Sequence, residues 1–302
     1  MSYILVVAVT AAIFSTVTVS LNIVAGYAGQ PNLGQSAIFG IGAYFTAVLA
    51  SNHGMSFLPN LVVSAVMAAV AGALVGAISL RLREDFFAIV TVGLNFVVVA
   101  MFQTIPFFGG ATGIYSIPLP VLFGREFGNE EFLITALVLL AFVSWVSWAI
   151  NRSWLGGMLL TISEDELVAS SLGAPVAKYK GVAFVVSSAC AGLAGSLYAY
   201  FLSAVTPETF GFIGSLTIMA MLIIGGNGTI RGSIVGAVLL TLIPELFRFA
   251  SEYRILIFGL VLVLVLRFQP QGLVGDQSWF ARQVGRVLPR RGLTPTGKVG
   301  EQ

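Results

Sequence analysis

Between Asn151 and Lys180 the chain reads NRSWLGGMLLTISEDELVASSLGAPVAKYK, a polar interval set between two long apolar runs. Ser163 is spaced to cap the amide of Glu166 while Glu166 reaches back to Ser163, the reciprocal arrangement that opens many helices. Glu164, Asp165 and Glu166 place negative charge on the first turn, where the helix dipole favours it. Gly173 suits the left-handed conformation just past a helix end, and Pro175 forbids continuation. Leu167, Val168, Ser171 and Leu172 give the segment a partly apolar face. The interval predicts a short, terminated helix held between two membrane spans. Two readings stand: a docking element for a partner, or a solvated loop with an incidental helix.

Working outward, the composition sets the class. The 302 residues are 57% hydrophobic and only 9% charged, whereas soluble domains run near 25% charged. From Met1 to Leu80 there is no Asp, Glu, Lys or Arg, and the first charges arrive together at Arg81, Arg83, Glu84 and Asp85. Long uncharged runs with short charged punctuation predict an all-α polytopic membrane protein. The single Cys190 lies in an apolar run and allows no intrachain disulfide, and CxxC-type metal spacing is absent. His53, alone of its kind, sits in the polar connection SNHGMS and reads as a loop residue.

The first apolar run covers about Tyr3 to Gly26, without a basic start or a clear cleavage site, and reads as a retained span. GYAGQPNLGQSAIFGIGAYF follows. Its glycines and Pro31 argue against a straight helix, while Gln30, Asn32, Gln35 and Ser36 supply polar atoms. Irregular backbone at membrane depth is tolerated where protein covers it or where it lines a cavity. The segment is either a wall of a pathway or a Gly-rich loop before a span of 36–50. Further spans are expected at 58–80, 86–105, 132–150, 181–202, 212–224, 233–246 and 255–266. The run 212–224 is short against the roughly twenty residues needed to cross, so it is re-entrant or continued by GGNGTIRG. The expected count is about nine passes, bounded by eight and ten. On this reading residues 1–270 form a transmembrane domain with a cytoplasmic loop at 151–180, and 271–302 form a polar, disordered cytoplasmic tail.

Of the 15 Lys and Arg residues, all but Arg125, Arg248 and Arg254 then fall on one side. The positive-inside rule puts that side, with the capped segment and the C-terminus, in the cytoplasm and the N-terminus outside. Gly72 with Gly76, Gly232 with Gly236, and the cluster Ala191, Gly192, Ala194 and Gly195 have the small-xxx-small spacing of helix contacts. GQPNLGQSAIFG (29–40) and GNGTIRGSIVG (226–236) share a Gly-rich turn leading into a small-residue helix, the outline of a worn internal repeat.

Missing chemistry narrows the function. There is no GxxxxGK[ST] loop, no HExxH and no GxSxG elbow, so neither a Walker ATP site, a histidine-based metal site nor a serine hydrolase is expected on this chain. The span interiors hold no ionisable relay of the kind proton-coupled carriers use, while sodium coupling through backbone carbonyls stays open. What remains is a multi-pass pore with uncharged polar spots such as Asn22, Thr91, Asn95 and Gln103, and a cytoplasmic docking helix. Its energy would come from another subunit.

Several stretches, in order, carry a resemblance: AGQPNLGQSAIFGIGAY (28–44), LRLREDFFAIVTVGLNFVV (80–98), GGATGIYSIPLP (109–120), ISEDELVASSLG (162–173), SACAGLAGSLYAY (188–200), IIGGNGTIRGSIVGA (223–237) and FQPQGLVG (268–275). Together they resemble the LivM-type membrane permease of branched-chain amino acid ABC importers. The resemblance implies a bacterial-type inner-membrane importer with a second, homologous permease, two ATP-binding cassette subunits inside and a substrate-binding protein outside. ATP and Mg2+ would be held by the ATPase subunits, with no cofactor on this chain and no nucleic-acid partner. It also implies that Ser163, Glu164, Asp165, Glu166, Ala169 and Gly173 form the coupling helix to the ATPase. Asn22, Gln35 and Asn95 stay candidates for the pathway lining. The chain departs from the family pattern at Gly157, Leu160 and Ser163, where basic residues are usual, and at Phe96 and Ala100, in a region that commonly carries an acid and an arginine. Related permeases carry urea, short amides or other organic acids. A stand-alone channel for small neutral solutes is the reading from a different class.

Overall fold

The computed structural model describes residues 3–79, 84–122 and 125–246, with single positions at 259, 267 and 273. The expected span 255–266 and the tail 271–302 therefore lie outside the described residues, apart from those single positions. So do the basic positions Arg81 and Arg83.

Every apolar run expected before residue 247 is a helix. The first is α1, Tyr3–Leu21, continued without a gap by a π-helical turn, Asn22–Tyr27. Then come α2, Gln35–His53, α3, Phe57–Ser79, and α4, Glu84–Thr104. The polar interval is bracketed by α5, Asn129–Arg152, and α8, Val176–Leu202, and it holds two helices, α6, Trp154–Glu164, and α7, Glu166–Ser171. The described run closes with α9, Phe212–Gly225, and α10, Ile230–Leu246.

Among the described residues, five of these helices are long and apolar enough to cross a membrane: α1 with its π turn, α3, α4, α5 and α8. That is fewer than the nine passes expected. The 19-residue α2 opens on Gln35 and Ser36 and closes on Ser51, Asn52 and His53, which dilutes its apolar character. Its first polar residues, Gln35 and Ser36, are covered by protein, while Ser51, Asn52 and His53 at its other end are exposed. The 14 residues of α9 and the 17 of α10 are short against about twenty. GGNGTIRG does not extend α9, whose last residue is Gly225; Gly226 and Gly228 turn the chain at positive φ into α10.

The core is built on α8, which packs against α1, α2, α3 and α5. Small residues make this possible. A Cβ on Gly195 would stand 2.1 Å from the Phe39 carbonyl oxygen, and one on Gly42 would stand 2.4 Å from that of Gly192. At these points α2 and α8 meet backbone to backbone, the close approach that small residues permit in membranes. Around the contact an aromatic cluster fills the space: Phe39 with Tyr198, Phe39 with Phe210, and Tyr44 stacked on Phe102 with centroids 4.0 Å apart. At one end of the bundle two-residue strands β1, Ile114–Tyr115, and β4, Ala204–Val205, pair antiparallel and tie the α4–α5 connection to the end of α8. A second small pair, β2, Val121–Leu122, and β3, Arg125–Glu126, lies within that connection.

Candidate functional site

The Gly-rich stretch after α1 breaks the helix, as its composition requires. The π turn widens the backbone at Asn22–Tyr27, a feature that concentrates at functional sites. Irregular chain then runs to Gly34, with Gly29 at φ +68°. This break is covered: Gln30, Asn32 and Gln35 are at most 1% exposed. It meets Thr91, about two turns inside α4, and Asn95 follows about one turn further along that helix. Buried irregular backbone needs partners, and uncharged side chains provide them. The Leu33 amide donates to Thr91 Oγ1 at 3.1 Å, and the Gly34 amide to Asn32 Oδ1 at 2.9 Å. Asn32 Nδ2 donates to Gln35 Oε1, and Gln35 Nε2 donates to Ser20 Oγ, both at 2.9 Å. The Ser36 amide and Asn95 Nδ2 share Ser215 Oγ at 3.1 Å each, and Asn95 Nδ2 also reaches the Phe210 carbonyl at 3.3 Å.

Gln35 and Asn95 thus belong to one network that joins α1, α2, α4, α8 and α9. Asn22 belongs to a neighbouring knot, where its Oδ1 accepts from the Gly228 amide at 2.9 Å while Asn227 Nδ2 donates to the Ala25 carbonyl at 3.3 Å. The two Gly-rich stretches that look alike in sequence therefore meet in space. All three candidates are fully buried, so in this conformation they bond helices together. Neither polar atom of Gln30, nor Asn95 Oδ1, has a hydrogen-bond partner among the described residues. Ser20, Ser187 and Ser215 complete the network and carry no sequence signal, because serine is ordinary in membrane helices.

The polar interval is organised differently from the expected capping box. The short helix is α7, and its cap is Asp165, whose Oδ1 accepts from the amides of Leu167 at 2.9 Å and Val168 at 3.0 Å. Ser163 and Glu164 instead end α6, and the Ser163 hydroxyl donates back to the Leu160 carbonyl at 2.7 Å. The chain bends at Asp165, in extended conformation with φ −157°, so only Asp165 can cap. Glu166 turns away from Ser163 and pairs with Lys180 of α8 at 2.7 Å. The expected terminator holds: Gly173 has φ +82°, its amide donates to the Ser170 carbonyl and that of Ala174 to the Ala169 carbonyl. Pro175 then stands as the residue that opens α8.

The six residues of α7 divide cleanly. Ala169 is buried with Ile162 and Val176, so it anchors the helix rather than presenting it. Leu167 and Leu172 are 78% and 79% exposed, and Val168 is exposed beside them. Together they form a small exposed apolar patch. On the other side, Gly29 of the break packs against Ser163, its missing Cβ being 2.9 Å from the serine Cβ. The break and the end of α6 that leads into the capped helix, far apart in sequence, are adjoining parts of one region.

A covered polar break inside apolar helices, with an exposed terminated helix between two spans, defines a multi-pass membrane transport subunit. The chain matches the family described as branched-chain amino acid transport system / permease component over residues 3–266, and it belongs to that family. This is a family of transport permeases, not of enzymes. The chain is 35% identical over 287 residues to the high-affinity branched-chain amino acid transport system permease protein LivM of Escherichia coli (strain K12), covering 87% of this chain and 68% of that protein. It is 22% identical over 316 residues to the probable branched-chain amino acid transport permease protein LivM of Methanocaldococcus jannaschii, 88% of this chain and 91% of that protein. Over 176 residues it is 26% identical to the high-affinity branched-chain amino acid transport system permease protein LivH of Escherichia coli (strain K12), 54% of this chain and 57% of that protein. No solved structure matches the chain.

Proposed function

We propose that this chain is the membrane-spanning permease subunit of an ATP-binding cassette importer, passing branched-chain amino acids or a related small polar solute delivered by an extracytoplasmic binding protein. The observation that supports this most is the joint one: kinship to permeases along nearly the whole chain, and an exposed, capped helix between two spans. A pore acting alone has no use for such a helix; a pore driven by another subunit needs one.

In this reading the homologous second permease is a LivH-like chain, and two ATPase subunits bind on the side of α7. Asp165, Glu166 and Gly173 shape that helix, Ala169 seats it, and Leu167, Val168 and Leu172 face the ATPase. Ser163 and Glu164 belong to the same docking region through the end of α6. Because the usual arginines are replaced at Gly157, Leu160 and Ser163, the contact is carried by apolar surface more than by charge. ATP and Mg2+ sit on the ATPase subunits, and the protein resides in a bacterial-type inner membrane with the N-terminus outside. Asn22, Gln35 and Asn95 border the pathway when the break opens.

The test is co-purification followed by reconstitution. The chain should elute with a second permease and ATPase subunits, and vesicles should import only with ATP and the loaded binding protein. A binding-protein screen across leucine, isoleucine, valine, urea and short amides assigns the solute. Solute conduction by the chain alone, without ATP, would establish the stand-alone channel instead.

A further inference from the structure

The buried lysine at the start of α8 is hard to account for by topology alone. Lys178, two residues earlier, is exposed and serves the positive-inside rule without desolvation. Lys180 is 3% exposed, and its ammonium donates to Glu166 Oε2 at 2.7 Å. An ammonium taken out of water is costly unless it is paired. The chain carries that cost where an apolar residue would pack, so the pair is better explained by orientation than by stability.

The element it orients needs it. A helix of six residues does not hold its own shape in water. Ala169 seats α7 on Ile162 and Val176, but one methyl group allows the helix to rock about it. Glu166 lies on the first turn and Lys180 on α8, so their bond closes a loop through the turn at Gly173 and Pro175 and blocks that rocking. About two turns further along α8, Ser187 donates to the Ser20 carbonyl at 2.6 Å and meets Gln35 Nε2 at 3.4 Å. One helix therefore carries both the attachment of α7 and a member of the polar break.

We infer that the Lys180–Glu166 pair is the strut that fixes α7 to α8, making Lys180 a positioning residue for coupling. The role in coupling rests on the importer reading; the strut itself does not. The first experiment accordingly uses the full chain alone in detergent, with a nitroxide on Ser170→Cys in a Cys190→Ser background. Lys180→Met should mobilise the label, and Lys180→Arg should leave it restrained. An equally restrained label in Lys180→Met overturns the strut.

The second experiment uses the assembled complex with ATPase and binding protein in vesicles, reading solute imported per ATP hydrolysed and the thermal unfolding midpoint. Lys180→Met keeps volume and removes the buried charge, and the Glu166 carboxylate it leaves behind is 38% exposed, so water solvates it in place of the ammonium. It should leave the midpoint in place and lower the solute-to-ATP ratio at least about fivefold, with Lys180→Arg restoring it. A wild-type ratio in Lys180→Met, or a ratio lost only in step with the midpoint, overturns the coupling role. Failure of the unsubstituted chain to assemble with any ATPase overturns the importer reading and leaves the first experiment standing.

Discussion

Asp165 carries both side-chain bonds that open α7, while Ser163 bonds backward within its own helix. Asp165→Ala should therefore cost about 1 kcal/mol of local stability and weaken the response of ATP turnover to the loaded binding protein. Ser163→Ala keeps the Cβ that touches Gly29 and should be mild, as should Glu164→Gln. Gly173→Val should be the most damaging, because a β-branched residue is a true outlier at φ +82°. Measured at equal expression, a harsher effect from Ser163→Ala than from Asp165→Ala would refute this assignment of the cap. A second residue prediction concerns Asn95. Asn95→Leu strips the bonds to Phe210 and Ser215, and such bonds average about 0.6 kcal/mol in membranes. Uptake and the thermal midpoint should fall together. Loss of uptake at an unchanged midpoint would mean that Asn95 only borders the pathway and does not hold the helices together.

Among the elements, the α2–α8 contact has the least room for change. A Cβ on Gly195 meets the Phe39 carbonyl at 2.1 Å and the Ala43 amide at 2.9 Å, both backbone atoms that cannot rotate aside. Gly195→Ala should force the helices apart at a cost of about 1–3 kcal/mol or more. Gly157, in α6, has nothing within 4 Å of its missing Cβ. Gly157→Ala should be neutral or stabilise by about 0.5–1 kcal/mol. Thermal unfolding of the two variants in one detergent decides the matter: equal midpoints would mean that the close contact does not form. Both glycines lie inside helices, and the close approach of a neighbouring helix separates them.

For the whole molecule, the arrangement of ends carries the topology. The break at Gly29, the end of α6 at Ser163 and the turn at Gly228 lie in one region, since Gly29 touches Ser163 and Gly228 bonds Asn22. The β1–β4 pair gathers the opposite ends of α4 and α8. With the Lys and Arg distribution, the first region is expected to be cytoplasmic. In intact cells carrying Cys190→Ser, an impermeant thiol reagent should miss a cysteine at Ser170 and label one at Glu130. Both positions are exposed to solvent. The opposite labelling pattern would invert the orientation and remove α7 from the ATPase side.

Membrane class, the helical runs and the termination of the short helix were legible in the sequence because each depends on local chemistry. Apolar length sets a span, and the left-handed turn at Gly173 suits a residue without a Cβ. The resemblance in register pointed to the family on the same footing, through short local motifs. The bend at Asp165 was not legible, since Ser163, Glu164 and Asp165 are all competent caps and packing of α6 against the Gly29 break selects among them. Nor was the partnership of Glu166 with Lys180, or of Gln35 and Asn95 with serines on three other helices. A buried polar side chain must find a partner, but the sequence states only the need. Which atom meets it is decided by the distances between helices, and those exist only once the bundle has closed.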